Sequence, residues 1–259
     1  MIKKKIGKNN TYFFENFLQY KDIFHFISTK EWGNLGFHVG DDPKKVLENR
    51  KNISSSLKIP FSNFVFANQV HGKNIAVITA KEKGRGSISQ EDAIESMDGL
   101  ITKEKNICLM ILVADCVPIL IFDPVKKVIA AIHAGRKGTS LQIAKEAVKT
   151  FKEKFKSNPK DLVIGLGPSI GPCHYEVDLW EENKKQLIKS GVLAKNIEES
   201  KICTYCNKSE FFSARGEGET GLSVSQASLL VDQSGAVGTR ALRAGRFAVG
   251  IILKLEDNI

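Results

Sequence analysis

Three uninterrupted apolar runs dominate the pattern of hydrophobic and polar positions: residues 107–113, 117–122 and 128–132. Runs without polar alternation predict strands covered on both faces. Ala114-Asp115-Cys116 separates the first two, Asp123-Pro124 predicts a tight turn before the third, and the third ends on His133. A cysteine and a histidine are therefore expected where buried strands give way to irregular backbone, a usual place for reactive side chains on a rigid support.

Shorter strands are predicted at residues 12–17, 23–28, 64–66, 75–79, 162–166, 211–215 and 247–253. Asp42-Pro43 predicts a helix start, with a cap carboxylate followed by proline at the first helical position; apolar residues at helical spacing carry that helix to Leu57, before Pro60. A second helix is expected from Ser140, burying Leu141, Ala144, Val148, Phe151 and Phe155, and a third from Asp178 to Ser190, stopped by Gly191. Residues 81–95 read as a charged loop, and Asp98-Gly99 as the turn before the core strands. Strands and helices alternate, which predicts an α/β fold: a single layered domain over residues 1–259, with a central mixed sheet flanked by helices.

The net charge of +9 suggests nucleic-acid binding until its distribution is considered. Lys3, Lys4, Lys5 and Lys8 supply much of the excess, and the remaining lysines are interleaved with acids. With neither an aromatic-basic RNA motif nor a base-reading helix, no nucleic-acid partner is expected. The N-terminal stretch lacks the apolar core of a signal peptide, and no run reaches membrane-span length, so no membrane partner is expected. Five cysteines at irregular spacing do not form a disulfide framework; a reduced, cytoplasmic protein is expected.

His71, Cys116 and His133 each fall in a loop or at a strand end. Two imidazoles and a thiolate suit Zn2+, or Cu2+ as the second choice, and three protein ligands leave one position open. Their wide spacing matches no short zinc-finger pattern, and a buried free cysteine with two loop histidines is the alternative. Gly135-Arg136-Lys137-Gly138-Thr139 opens a helix with two cations and a hydroxyl, which reads either as an anion site or as an ordinary helix start. In residues 167–172 Ser169 is the one functional side chain, in a loop that either lines a pocket or simply turns the chain. Cys203-Thr204-Tyr205-Cys206 is a lone CxxC, read as incidental, so Cys203→Ala is expected to leave metal retention and turnover intact.

Five ordered motifs add to this reading: Asn68-Gln69-Val70-His71-Gly72, Ala114-Asp115-Cys116-Val117-Pro118, His133-Ala134-Gly135, Gly167-Pro168-Ser169-Ile170-Gly171-Pro172-Cys173 and Phe211-Phe212-Ser213. Together they resemble the multicopper-oxidase-like, laccase-domain-containing YfiH family, formerly described as polyphenol oxidases. The resemblance implies one α/β domain with a metal held by His71, Cys116 and His133, and phosphorolysis of adenosine, inosine, guanosine and methylthioadenosine with deamination of adenosine. For that chemistry Asp115 and Cys116 are the candidate catalytic residues, Asp115 either orienting a ligand or shuttling a proton or only capping the turn beside Cys116. Arg136, Lys137, Gly138, Thr139, Ser169 and Arg215 are the candidate substrate- or phosphate-binding set. Purine nucleosides and phosphate are the implied partners, and the chain is expected as a monomer or homodimer. The chain departs from the family pattern at Arg136, where tryptophan is usual, at His174, where a second cysteine is common, and at Ala214, where an aromatic is common.

Competing readings are an amidase that edits peptidoglycan precursors, a single-copper polyphenol oxidase and a non-catalytic metal-binding protein. A four-copper laccase is excluded by counting, since it needs roughly ten histidines and this chain has five. Finally, residues 222–245 interrupt the resemblance. They contain Arg240 and Arg243 but no lysine, are bracketed by Gly221 and Gly245, and read as an insertion in a surface turn; the alternative is a core-packed helix over residues 223–233.

Overall fold

A chain with this many fully apolar strands must cover both faces of each, and two stacked sheets with helices outside achieve that. The computed structural model describes residues 1–219 and 244–254. Its strands are β1 (Ile2–Ile6), β2 (Asn9–Phe13), β3 (Ile23–Ser28), β4 (Phe64–Phe66), β5 (Ile75–Val77), β6 (Gly99–Thr102), β7 (Cys108–Val113), β8 (Val117–Asp123), β9 (Val128–Ala134), β10 (Val163–Leu166), β11 (Ile197–Glu199) and β12 (Phe247–Leu253). Its α-helices are α1 (Glu15–Leu18), α2 (Pro43–Leu57), α3 (Arg136–Ser140), α4 (Ile143–Phe155), α5 (Leu179–Lys189) and α6 (Ala214–Glu219).

The strands form two mixed six-stranded sheets, ordered β1-β2-β3-β12-β7-β4 and β11-β10-β8-β9-β6-β5. The α/β class stands, but the single central sheet expected from the sequence becomes two. Between them lies one core, to which the first sheet contributes Leu109, Ile111, Val249 and Ile251 and the second Leu120, Phe122, Ile129 and Ala131. On the outer face of the second sheet, Ile119, Ile121 and Ala130 meet Ala144, Val148 and Phe151 of α4 and Leu187 of α5. On the outer face of the first, Phe26, Met110 and Ala248 meet Trp32 and Leu35 of the segment before α2 and Ile53 of α2. Two sheet faces plus two helical layers explain why β7, β8 and β9 are buried at every position.

Several elements differ from the sequence expectation for local reasons. The strand expected over residues 12–17 stops at Phe13, because Phe14 and Phe17 turn inward through α1 and pack on the ring of His25. Leu141 is 41% exposed: Gln142 takes a left-handed conformation that separates α3 from α4, so Ile143 fills the buried position instead. The strand expected over residues 211–215 is instead the entry to α6, where the Ser213 hydroxyl accepts from the Gly216 N–H as a helix cap. α2 begins at Pro43, with the Asp42 carboxylate accepting from Lys44 N at 3.0 Å. The segment read as an insertion, residues 222–245, lies outside the described residues except for Ala244 and Gly245.

Candidate metal centre

The second sheet assembles the site through strand register. β8 and β9 pair antiparallel with Pro118 opposite His133, so Cys116, just before β8, comes beside the end of β9. β6 pairs antiparallel with β9 on the other side, with Gly99 opposite Ile132, which brings Asp98 to the same edge. β5 runs parallel to β6 with Ile75 opposite Gly99, delivering the loop that carries His71. That loop is also tied to the first sheet, since the Gln69 amide both donates to Leu112 O at 2.8 Å and accepts from Leu112 N at 2.9 Å.

The ligand atoms of His71, Cys116 and His133 all lie within 4.8 Å of one another. His71 is exposed and His133 is buried, so the trio opens to solvent on one side. The two rings meet edge-on, with centroids 4.7 Å apart. Gly135 makes this convergence possible. A Cβ there would stand 2.9 Å from both Cys116 Sγ and His71 Cδ2, too close for any side chain.

Asp98, read from the sequence only as part of a turn, is the residue that orders the trio. It is fully buried, and its Oδ1 lies 2.8 Å from His133 Nδ1, leaving Nε2 as the ring nitrogen that could ligate a metal. The same carboxylate accepts from the N–H groups of His71 at 2.9 Å and Gly72 at 2.6 Å. This collar holds His71 in a left-handed conformation (φ 59°), which is costly for a non-glycine residue and persists only where its surroundings fix it. Burial opposes ionisation of Asp98, but the His133 hydrogen bond and these amides outweigh it and hold the carboxyl below its usual range. Burial likewise pushes the Cys116 thiol up and His133 down, and their mutual attraction, with Asp98 behind the ring, reverses both shifts. Cys116 is therefore disposed to be a thiolate, the form that binds metal.

Asp115 sits beside this centre with φ 86° and both carboxylate oxygens engaged. Oδ1 accepts from Thr204 Oγ1 at 2.6 Å and Oδ2 from Arg215 N at 2.7 Å, while its carbonyl accepts from Ile170 N at 2.9 Å. It thus fastens three segments next to Cys116. Ser169 is fully buried and accepts from Trp180 Nε1 at 2.5 Å. Thr139 is buried and accepts from Asn183 Nδ2 at 2.9 Å, and Gly138 lies against the Gly72 carbonyl, so these two lock α3 onto its neighbours.

Arg136, Lys137 and Arg215 are exposed. Arg136 reaches Glu176 Oε1 at 2.6 Å and Arg215 approaches Glu176 Oε2 at 3.9 Å, with both guanidiniums beside the Tyr175 ring, at 6.0 and 5.5 Å from its centroid. A separate cleft of about 550 Å³ opens among α3, α4 and α5 and includes Arg136, Lys145 and Lys189, but it contains no member of the metal-ligand trio. Donor chemistry, rather than cavity size, singles out the trio as the candidate centre.

The sequence reading also missed a second cluster. Cys203 and Cys206 do not stand alone: Cys173 and His174 join them, with all four ligand atoms within 4.8 Å of one another.

Comparison with known proteins places these features in context. A Bacillus subtilis protein named purine nucleoside phosphorylase YlmD is 35% identical over 240 residues, covering 78% of this chain and 86% of its own. A protein named adenosine deaminase RL5, from an unknown prokaryotic organism, is 32% identical over 215 residues, covering 70% and 80%. The crystal structure of Bacillus licheniformis hypothetical protein YfiH superposes with a TM-score of 0.83 at 28% identity, covering 96% of this chain and 98% of that one. The family described as multi-copper polyphenol oxidoreductase laccase matches residues 27–178 and 174–230, and the chain belongs to that family.

Proposed function

We propose that this protein is a metal-dependent purine nucleoside phosphorylase that also deaminates adenosine. The observation that carries the reading is the convergence of His71, Cys116 and His133 around a point open to solvent on one side. Two imidazoles and one thiolate suit Zn2+, with Cu2+ second, and three protein ligands leave one position for water or substrate. The names of the relatives support the substrate class. A bound ion at this centre supplies Lewis acidity and makes water a competent nucleophile near neutral pH.

The chain's own residues divide the remaining work. Asp98 fixes the His133 tautomer and, through the amides of His71 and Gly72, the position of the second imidazole. Asp115 positions the Arg215 segment beside Cys116. Arg136, Lys137 and Arg215 offer positive charge for phosphate, which competes with Glu176 for the two guanidiniums. Tyr175 offers a ring face for the purine where the family's usual tryptophan is replaced by Arg136. In phosphorolysis a phosphate oxygen joins the ribose C1′ as the bond to the base breaks; in deamination a water oxygen joins C6 and ammonia leaves.

The test is product analysis after incubating metal-replete protein with adenosine. Adenine and ribose 1-phosphate should form only with phosphate present, whereas inosine and ammonia should form with or without it. Lys137→Ala should raise the phosphate concentration needed for half-maximal phosphorolysis by about tenfold, the worth of one charge-assisted hydrogen bond, and leave deamination unchanged. Absence of every one of these products would overturn the reading.

A further inference from the structure

Cys173, His174, Cys203 and Cys206 come from two loops far apart in sequence. A parallel bridge between Ser169 and Cys203 brings them together, with Ser169 N donating to Ile202 O at 3.2 Å and Thr204 N to Ser169 O at 3.1 Å. Cys173 Sγ lies 3.7 Å from Cys206 Sγ, and His174 Nδ1 lies 3.3 Å from the first sulfur and 3.4 Å from the second.

These distances suit a shared ion better than a disulfide. A disulfide needs sulfurs about 2.05 Å apart, far closer than these. Tetrahedral zinc with Zn–S near 2.3 Å and Zn–N near 2.0–2.1 Å sets sulfurs about 3.8 Å apart and sulfur and nitrogen about 3.5 Å apart. The spacings among Cys173, His174 and Cys206 fit that geometry within a few tenths of an ångström, and Cys203 Sγ lies within 4.8 Å of all three ligand atoms. Outer-shell partners are present too. The Gly171 N–H donates to Cys203 Sγ at 3.2 Å, and the His174 ring stacks on Tyr205 with centroids 4.0 Å apart and planes 21° apart.

The geometry points to a second, structural zinc site formed by Cys173, His174, Cys203 and Cys206. Four protein ligands fill a tetrahedral shell and leave no position for substrate, which separates this site from the three-ligand centre. Its role follows from what it joins. The Cys173 loop reaches Asp115 through Ile170 and the Cys203 loop reaches it through Thr204, so the ion clamps together the two segments that pack beside Cys116. Tyr175 follows directly on the ligand His174, placing the aromatic of the site rim under the same clamp. The Cys203→Ala replacement expected from the sequence to be silent should therefore cost one zinc per chain.

The inference is independent of the nucleoside reading and is tested by zinc stoichiometry. In Cys116→Ser, which disables the three-ligand centre, one zinc per folded chain should remain, and Cys116→Ser combined with Cys206→Ser should retain none. In the wild-type protein, where no variant needs to fold, Cys173 and Cys206 are exposed, yet iodoacetamide should label them at least tenfold more slowly before zinc chelation than after. A folded Cys116→Ser protein without zinc would overturn the assignment. So would chelator-insensitive labelling of the wild type, or peptide mapping that finds Cys173 and Cys206 in a disulfide.

Discussion

Asp98 determines which nitrogen His133 presents, and it does so with an oxygen that also receives the His71 amide. Asp98→Asn keeps the shape but replaces one acceptor oxygen by a donor, so the side chain can no longer serve both the ring and the amides. Metal affinity should fall about 10–100-fold, as is usual when an outer-shell carboxylate is lost, with turnover falling alongside. Titration of the apoprotein with zinc against a competing chelator would measure this; an unchanged affinity would show that His71 and His133 need no such support. At this scale the sequence was half legible. His71, Cys116 and His133 stood out as metal-ligand types at strand ends, whereas Asp98 looked like turn chemistry, because only the pairing of β6 with β9 brings it behind His133. Gly135 was legible as part of a motif, but its reason, two side chains that a Cβ would strike, exists only in three dimensions.

Among the elements, β3 carries a buried histidine with a measurable signature. His25 Nε2 accepts from Phe14 N at 2.8 Å, and the ring lies among Phe13, Phe14 and Phe17. Burial lowers its pKa to about 3, and protonating Nε2 would also forfeit the bond from Phe14 N–H. The unfolded chain, whose histidine titrates near 6.5, therefore takes up the proton first as the pH falls. Stability should be fully present above about pH 6.5 and should fall by up to about 1.4 kcal/mol per pH unit until the folded form is protonated near pH 3. Urea denaturation at several pH values should give a shallower acid dependence for His25→Gln, which keeps an acceptor for Phe14 N–H but does not titrate; equal slopes would refute the assignment. Other elements were hidden by ordinary physics. β1 carries Lys3, Lys4 and Lys5 at the edge of its sheet, where exposed charge is compatible with a strand, so it has no apolar signal. α6 was mistaken for a strand because its cap, Ser213, and its second tie, Asp115 to Arg215 N, are long-range facts.

For the whole molecule, the apolar runs announced strands covered on both faces, but they are equally compatible with one sheet between helices and with two stacked sheets. The division into two sheets is invisible in the sequence because the first sheet is completed only when β12, nearly at the end of the described chain, inserts between β3 and β7. The flanks of residues 222–245 bear on the proposed insertion. Phe211 and Phe247 pack with ring centroids 5.0 Å apart, and Gly245 lies against the Phe212 ring, where a Cβ would meet a carbon at 2.6 Å. Deleting residues 222–245 joins Gly221 to Arg246 and so returns a glycine to that contact, while a shorter connection lowers the loop-closure cost only logarithmically. The deletion variant should keep its metal content and melt within a few degrees of the parent; failure to fold would mean the segment belongs to the core. No helix among the described residues is long and apolar enough to cross a membrane.

The central claim is that His71, Cys116 and His133 hold the ion that acts on purine nucleosides. Adenosine turnover by Cys116→Ala, stripped and reloaded with zinc beside wild-type protein treated identically, tests it most directly. The account predicts that both phosphorolysis and deamination fall by at least about a thousandfold, as expected when the unit that acts on the substrate is removed. Wild-type rates in the folded Cys116→Ala protein would contradict it.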